Sequence, residues 1–167
     1  YFVTAAAPMN RDVHKWFHAI GIDVTEIYGM TEDTGPATIG VPTNAAESFS
    51  KRLKADGISI PSVLNPIGKV GIPIPGTEVK IMEDGELCIK GNHVAQGYYK
   101  SEEQTAETFD EDGWLHTGDL AEIDSEGFVK IIGRKKEILI TSAGKNIAPV
   151  EVEDLSLIHI SEPTRQP

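Results

Sequence analysis

The sequence predicts an α/β protein in which a parallel sheet is followed by a smaller β-rich part. Near the start of the chain, two apolar segments flank an amphipathic one with short turns between them, which is the strand–helix–strand order of a parallel sheet. From Pro66 onwards, short alternating segments are separated by turns rich in glycine and acidic residues, which is typical of antiparallel strands or a small barrel. The 167 residues, 40% of them hydrophobic, are enough for one domain with its own core.

The first part of the chain predicts two strands and one helix. Residues 1–4 are an apolar strand, and the small residues 5–8 form a turn. Asn10 can cap a helix that runs to about Ile20, and Gly21 ends it. The segment from Ile22 to Tyr28 predicts the second strand. One face of the helix carries Val13, Trp16, Phe17 and Ile20 at helical spacing.

The segment from Gly29 to Asn65 has poor periodicity and many Gly, Pro, Thr, Asn and Ser residues. We expect a long loop here, with a short polar stretch at residues 48–56 that can be helical. Irregular segments of this length are usually functional or disordered.

Two hairpins are predicted in the β-rich part. Thr77–Ile81 alternates with period two, and Leu87–Lys90 returns after a Glu-Asp-Gly-Glu turn. Leu120–Ile123 and Phe128–Ile132 form the second hairpin around an Asp-Ser-Glu-Gly turn. Between the hairpins, Ser101 and Gln104 predict a capping box for a short acidic helix to about Phe109, and Ile138–Thr141 is another short strand.

Composition excludes several classes of function. Fifteen basic residues against 26 acidic ones give a formal net charge of −11, so no nucleic-acid partner is expected. Cys88 is the only cysteine, so no disulfide framework or cysteine metal cluster is predicted. No segment approaches the roughly 18–20 apolar residues of a membrane span. We expect a cytoplasmic protein, leave peripheral membrane contact open, and assign no oligomeric state.

The last residues of the chain do not resemble an evolved protein sequence. Leu155 to Arg165 is the translation of a common transposon-type sequencing-library adapter. We therefore expect residues 155–167 to be an artefactual tail and leave them out of the fold prediction. A natural amphipathic tail is the alternative.

The first chemical motif is Tyr28-Gly29-Met30-Thr31-Glu32, at the carboxyl end of the second predicted strand. Ligands bind at this end of the strands in open α/β sheets. Gly29 lets the backbone approach a ligand closely, Thr31 can donate to a phosphate oxygen, and Glu32 is a hard oxygen ligand for Mg²⁺. Taken alone, the motif also fits an ordinary turn with a solvated glutamate.

Two further motifs follow in the β-rich part. Gly113–Asp119 ends in a carboxylate that can accept hydrogen bonds from two neighbouring ribose hydroxyls; a hairpin entry with Trp114 in the core fits equally well. Gly133–Glu137 follows an apolar strand, and its Arg134 and Lys136 can clamp ribose or neutralise phosphate. A basic surface turn is the alternative for the last motif.

Taken in order, these segments resemble the successive core motifs of the adenylate-forming (AMP-binding) superfamily, which includes acyl-CoA synthetases, peptide-synthetase adenylation domains and beetle luciferases. The resemblance covers about residues 1–154, and Ile131–Pro149 is most similar to the long-chain fatty-acyl-CoA synthetase branch. The matching segments are Thr4–Pro8, Tyr28–Glu32, Gly68–Gly71, Pro75–Gly76, Gly85–Leu87, Gly97–Tyr99, Gly113–Asp119 and Gly133–Glu137.

The resemblance implies where this chain lies in the family fold. It would be the C-terminal part of the large N-terminal domain, truncated at the start of the mobile lid. Residues 1–65 would form the α/β portion, 66–132 a β-barrel-like subdomain, and 133–154 the hinge and the start of the lid. Gly133 sits where many relatives carry a charged hinge residue.

The resemblance also implies the roles of single residues. Asp119 would bind the ribose hydroxyls with help from Arg134, and Lys136 would lie near the adenylate phosphate. Thr31 would contact the α-phosphate and Glu32 would hold Mg²⁺. The residues implied around adenine are Ala5, Ala6, Ala7, Tyr28, Gly29 and Met30, and those implied near the CoA thiol channel are Ser142, Ala143 and Gly144.

The implied function is ligation of a fatty acid to coenzyme A. The carboxylate attacks the α-phosphorus of ATP, and the CoA thiol then displaces AMP from the acyl-adenylate. The sequence contains no Ser/Thr/Gly-rich phosphate loop ending in Pro-Lys-Gly and no adenylation lysine of the lid, so we expect the isolated polypeptide not to turn over. An adenylation domain that loads a carrier protein, and a non-catalytic nucleotide-binding remnant, are the alternatives.

Overall fold

The computed structural model describes residues 2–7, 9–41 and 65–137, together with the backbone of 139–140 and 146–147. The fold is a mixed α/β arrangement of two four-stranded sheets and a two-stranded pair. The polar stretch 48–56, the residues expected near the CoA channel and the tail 155–167 lie outside the described residues.

The predicted strand–helix–strand unit is confirmed. β1 (Phe2–Thr4) lies parallel to β2 (Val24–Met30), and α1 (Arg11–Ala19) connects them. The Asn10 side chain caps α1 by accepting hydrogen bonds from two N–H groups of its first turn, at 3.0 and 3.3 Å. Gly21 ends the helical segment with φ +81°, a conformation that glycine adopts without strain.

The first sheet is mixed, because the predicted irregular segment contains a strand. β3 (Gly35–Ile39) runs antiparallel to β2 and also pairs with the two-residue β4 (Ile72–Pro73), giving the order β1-β2-β3-β4. A 3₁₀ turn, Thr31–Asp33, connects β2 to β3. The prediction missed β3 because its sequence, Gly-Pro-Ala-Thr-Ile, shows no alternation of large apolar residues.

The second sheet is an antiparallel meander, as the two hairpins predicted. Its strands are β5 (Thr77–Ile81), β6 (Glu86–Gly91), β7 (Leu115–Ile123) and β8 (Val129–Arg134), in that order. β7 begins five residues earlier than expected, so Leu115 to Asp119 belong to the strand itself rather than to its lead-in. The alternating burial of β7 is what places these side chains on its two faces in turn.

The short acidic helix is α2 (Glu102–Thr108), with Ser101 as its N-cap residue. The predicted capping box is wrong: the Ser101 hydroxyl makes no bond to the helix backbone and instead donates to Gln104 Oε1 at 3.0 Å. Two short strands, β9 (Leu139–Ile140) and β10 (Asn146–Ile147), pair antiparallel, and β9 lies within the strand expected at 138–141.

The two larger sheets share one core. Ala37 from β3 packs with Ile89 and Leu115 from the second sheet, and Tyr28 packs against this cluster as well as a neighbouring one. Backbone bonds also join the two parts, since Val129 N–H donates to Gly71 O at 2.8 Å. The second sheet therefore lies at a fixed position beside the end of β2.

The apolar face of α1 is exposed within this chain. Trp16 is 59% exposed and Ile20 53%, while the side chain that α1 buries is His14. His14 Nε2 lies 2.8 Å from Val24 O, and its Nδ1 lies 3.5 Å from a Glu26 carboxylate oxygen. Among the described residues, no helix is both long and apolar enough to span a membrane.

Candidate functional site

The candidate site lies at the carboxyl end of β2. The parallel register pairs Thr4 with Glu26, so the three alanines that follow β1 lie beside the last residues of β2. Ala5, Ala6 and Ala7 are exposed there, and Ala6 adopts a left-handed conformation with φ +71°. Such strain on a non-glycine residue is found mainly where the backbone has a special task.

Gly29 is required by the close approach of β3. A Cβ at this position would lie 2.0 Å from the carbonyl oxygen of Gly35. The strand pairing shifts register between Tyr28 and Gly29, because β3 carries one extra residue, Ala37, between the partners of these two residues. Met30 points its side chain into the core cluster of Ala37, Ile89 and Leu115.

The turn after β2 is held together by Asp33, which sequence reasoning did not select. Asp33 is fully buried, and its Oδ1 accepts the N–H groups of Met30 at 3.2 Å and Gly35 at 3.1 Å. Its other oxygen has no hydrogen-bond partner among the described residues, and burial raises the pKa of the carboxyl group. The local signal was present, since an aspartate two residues before a glycine is typical of a side-chain-capped turn.

Glu32 lies in the same turn and bonds to a distant loop. Its Oε1 accepts the phenol hydroxyl of Tyr98 at 2.6 Å, and its backbone carbonyl accepts the N–H of Ala95 at 2.7 Å. The bond to Glu32 raises the pKa of Tyr98, so the phenol stays a donor at neutral pH. Thr31, the neighbouring candidate, is exposed.

Asp119, on β7, is the central residue of the part of the site that the second sheet contributes. It is 6% exposed, and its two oxygens take different partners: Oδ2 accepts the Tyr28 hydroxyl at 2.6 Å, and Oδ1 lies 3.0 Å from Arg134 Nε. Burial raises the pKa of Asp119, whereas the bonds from Tyr28 and Arg134 oppose that rise. Burial and the neighbouring Asp119 also raise the pKa of Tyr28, which keeps it protonated.

The pairing of β7 with β8 brings Arg134 opposite Asp119. A second guanidinium nitrogen donates to Thr117 O at 3.2 Å, and the Thr117 hydroxyl donates to Leu87 O at 2.7 Å. The Arg134 side chain remains 54% exposed, so it retains donors that can face a ligand.

Glu86 and Lys135 support this half of the site and were given no role by sequence reasoning. Glu86 Oε1 accepts the N–H of Gly118 at 2.9 Å, directly before Asp119, and Lys135 Nζ bonds to Glu86 Oε2 at 3.0 Å and to Asp84. Burial opposes ionisation of Glu86, but these bonds hold its pKa below the usual value. Lys136, the predicted phosphate contact, is exposed in the turn that follows β8.

The structure thus brings together side chains from three of the predicted motifs. Tyr28, Asp119 and Arg134 are joined by direct hydrogen bonds, and Glu32 follows Tyr28 in the next turn. Within the described part of the chain, no group of three or more His, Cys, Asp or Glu side chains could hold a metal ion alone.

Comparison with known protein families shows which family this chain belongs to. The model of the AMP-binding enzyme family matches residues 1–99 of this chain. The chain belongs to the AMP-binding enzyme family. The matched region contains β1 to β6 and the turn with Glu32, whereas Asp119 and Arg134 follow it.

Curated members of the family with similar sequences are described as fatty-acid–CoA ligases. FadD11 of Mycobacterium tuberculosis is 38% identical over 155 residues, which cover 93% of this chain and 24% of that protein. The long-chain-fatty-acid–CoA ligase ACSBG2 of Gallus gallus is 40% identical over 151 residues, covering 90% of this chain and 18% of that protein. The chain spans about a quarter or less of the length of these relatives.

Solved structures of adenylate-forming family members share the fold. O-succinylbenzoate coenzyme A synthetase from Bacillus subtilis, in complex with ATP and a magnesium ion, gives a TM-score of 0.74 at 27% identity, covering 96% of this chain and 32% of that one. Apo MatB from Rhodopseudomonas palustris gives 0.65 at 33% identity, covering 92% and 29%. The α/β fold class is therefore confirmed as that of part of an adenylate-forming enzyme.

Proposed function

We propose that this chain carries the adenosine-binding part of an ATP-dependent long-chain fatty-acid–CoA ligase. The reaction would form acyl-adenylate and pyrophosphate from a fatty acid and ATP, and then the CoA thioester with release of AMP. The names of the curated relatives support a fatty acid and CoA as substrates. Both steps depend mainly on positioning and on neutralising phosphate charge, which are tasks for binding residues of the kind found here.

The observation that carries the proposal is the joined set Tyr28, Asp119 and Arg134. A carboxylate that is 6% exposed and held by a phenol and a guanidinium is fixed in orientation, and both partners oppose the rise that burial causes in its pKa. Such a carboxylate can accept hydrogen bonds from the two hydroxyls of a ribose. Arg134 would add a donor at the same place, and the alanines after β1 would border the adenine beside Tyr28.

The phosphates would lie towards the turn that follows β2. Thr31 would donate a hydrogen bond from its hydroxyl to the α-phosphate. Lys136 would supply positive charge once the turn after β8 approaches the phosphates. Glu32 fits Mg²⁺, because this ion is usually bound by one or two carboxylates together with substrate phosphates. When bound, the ion would supply neutralisation of phosphate charge.

The proposal also includes the route of the CoA thiol and the mobile lid. Ser142, Ala143 and Gly144 would border the route of the CoA thiol, and residues 133–154 would form the hinge and the start of the lid. We retain the prediction that the isolated 167-residue chain does not turn over, because its sequence has no phosphate loop ending in Pro-Lys-Gly and no adenylation lysine of the lid. Release of pyrophosphate from ATP and a fatty acid, above that of a boiled control, would contradict this.

The test is a calorimetric titration of the chain with AMP. Asp119→Asn removes the negative charge at the centre of the set, and a hydrogen bond to a charged group contributes about 1.5–3 kcal/mol, so AMP affinity should fall roughly 10- to 100-fold. Asp112→Asn, at an exposed position of the turn before β7, is the matched control and should bind like the unsubstituted chain. Equal affinities for both variants would contradict the proposed site.

A further inference from the structure

We propose that Tyr98 is a positioning residue for Glu32, and that its hydroxyl strengthens the binding of the divalent cation that accompanies ATP. The inference rests on the proposed function, because it takes the Glu32 carboxylate as a cation ligand. It concerns a residue of the loop between β6 and α2, which has been given no part in binding so far.

The contact itself is short and polar. Tyr98 donates its hydroxyl to Glu32 Oε1 at 2.6 Å, in the range of strong bonds from a hydroxyl to a carboxylate. The bond occupies one carboxylate oxygen and leaves Oε2 to bind a cation. Outer partners of this kind fix the orientation of metal-ligating carboxylates, and their loss typically costs 10- to 100-fold in metal affinity.

The Tyr98 side chain is held in place from its other side. Its backbone N–H donates to Thr105 Oγ1 at 2.9 Å, and its ring meets Phe109 edge-on with the ring centroids 5.8 Å apart. Gly97 makes this approach to α2 possible, because a Cβ there would lie 2.5 Å from Thr105 Cγ2. The phenol is therefore fixed before any ligand binds.

The same loop also binds the backbone around Glu32. Ala95 N–H donates to Glu32 O at 2.7 Å, and the Thr34 hydroxyl donates to His93 O at 2.7 Å. The two sheets are thus joined at the turn by three bonds, one of which ends on the carboxylate. A tyrosine that served only packing would need its ring here but not its hydroxyl.

The chain contains a matched control at the next position. Tyr99 is 89% exposed, and Lys100 Nζ lies 5.3 Å from its ring centroid. Tyr98→Phe and Tyr99→Phe therefore remove the same atom from the same loop, and only the first removes the bond to Glu32.

The experiment measures ATP affinity of the 167-residue chain by calorimetry, once with Mg²⁺ and once with EDTA, and AMP affinity with EDTA. We call the ratio of the ATP dissociation constant in EDTA to that in Mg²⁺ the magnesium gain. Tyr98→Phe should reduce this gain about tenfold and leave metal-free AMP affinity within about twofold. Tyr99→Phe should leave both unchanged.

A double-substitution cycle separates positioning from packing. Glu32→Gln should abolish the magnesium gain, and adding Tyr98→Phe should then change nothing further. If Tyr98→Phe keeps the full gain, or lowers AMP and ATP binding equally together with the melting temperature, the positioning role is wrong while the proposed function stands. If the unsubstituted chain binds neither AMP nor ATP, the proposed function falls and this inference with it.

Discussion

Asp119 and Glu32, the two carboxylates proposed to contact the nucleotide and its cation, are supported in different ways. Asp119 lies within β7, opposite Arg134 of β8, and its second partner, Tyr28, comes from β2 of the other sheet. We call these three residues the strand corner. Glu32 lies in a three-residue 3₁₀ turn and its partner Tyr98 lies in a loop. We call these two residues the turn corner.

The difference indicates how each corner will respond to the loss of one bond. In the strand corner, backbone pairing of β7 and β8 keeps Asp119 in place, so removing a hydroxyl partner changes mainly the pKa of the carboxyl group. In the turn corner, Glu32 belongs to a 3₁₀ turn and not to a paired strand, so removing a hydroxyl changes mainly the orientation of the carboxylate. Substitutions can therefore separate an electrostatic response from a geometric one.

The largest effect is expected from Gly29→Ala, because Gly29 lies between the two corners. Its added Cβ would lie 2.0 Å from Gly35 O, so β2 and β3 would have to separate. Both AMP binding and the magnesium gain should be lost, with a destabilisation of about 3 kcal/mol or more measured by thermal and denaturant unfolding.

Gly76→Ala is the control for backbone strain alone. Gly76 also has a positive φ, of +86°, but open space around its Cβ position. It should cost about 1–2 kcal/mol and leave both corners functional. If Gly29→Ala were no more harmful than this control, the close contact between β2 and β3 would be wrong.

The next largest effect, a loss of AMP affinity, is expected from Tyr28→Phe and should be electrostatic. The Tyr28 bond opposes the rise that burial causes in the pKa of Asp119, so its removal raises that pKa further. AMP binding needs the ionised carboxylate and weakens as the pH falls through this pKa. The pH at which AMP affinity declines should therefore move upwards.

The measurement is AMP affinity between about pH 5 and pH 8 for both proteins. Tyr98→Phe, in the turn corner, should leave this pH profile unchanged. A Tyr28→Phe profile that is lower at every pH but not displaced would indicate that the tyrosine acts on position rather than on charge.

The smallest effect is expected from Asp33→Asn, which tests the turn beneath Glu32. Burial raises the folded-state pKa of Asp33 above its unfolded value, so the folded chain loses stability as the pH rises from the unfolded towards the folded pKa. Asparagine keeps an acceptor for Met30 and Gly35 but does not titrate. Over this pH range, the melting temperature of Asp33→Asn should change by roughly 3 °C less than that of the unsubstituted chain. Asp112→Asn, at an exposed position, should retain the original dependence.

Much of the strand corner could be predicted from the sequence. Local periodicity gave the βαβ unit and both hairpins, and the ordered motifs singled out Tyr28, Asp119 and Arg134. Their contacts follow from strand register once the sheets are formed, since Asp119 and Arg134 lie opposite each other in a hairpin. What local reasoning could not give is the bond between Tyr28 and Asp119, because it joins two sheets.

The turn corner was less predictable. β3 has a Gly-Pro start and no alternation, so the antiparallel return after the Glu32 turn was missed. The bond from Tyr98 to Glu32 joins residues 66 positions apart and leaves no local pattern. The face of α1 with Trp16 and Ile20 was recognised by its spacing, but spacing does not reveal that these side chains are exposed within this chain.

Binding of the two ribose hydroxyls by Asp119 can be tested by comparing the affinities of AMP and 2′-deoxy-AMP. On the unsubstituted chain, calorimetry should give about a tenfold preference for AMP, because the deoxy ligand lacks one hydroxyl that the carboxylate would accept. In Asp119→Asn this preference should largely disappear. Equal affinities for the two nucleotides on the unsubstituted chain, or the same preference in both proteins, would contradict the proposed contact between Asp119 and the ribose.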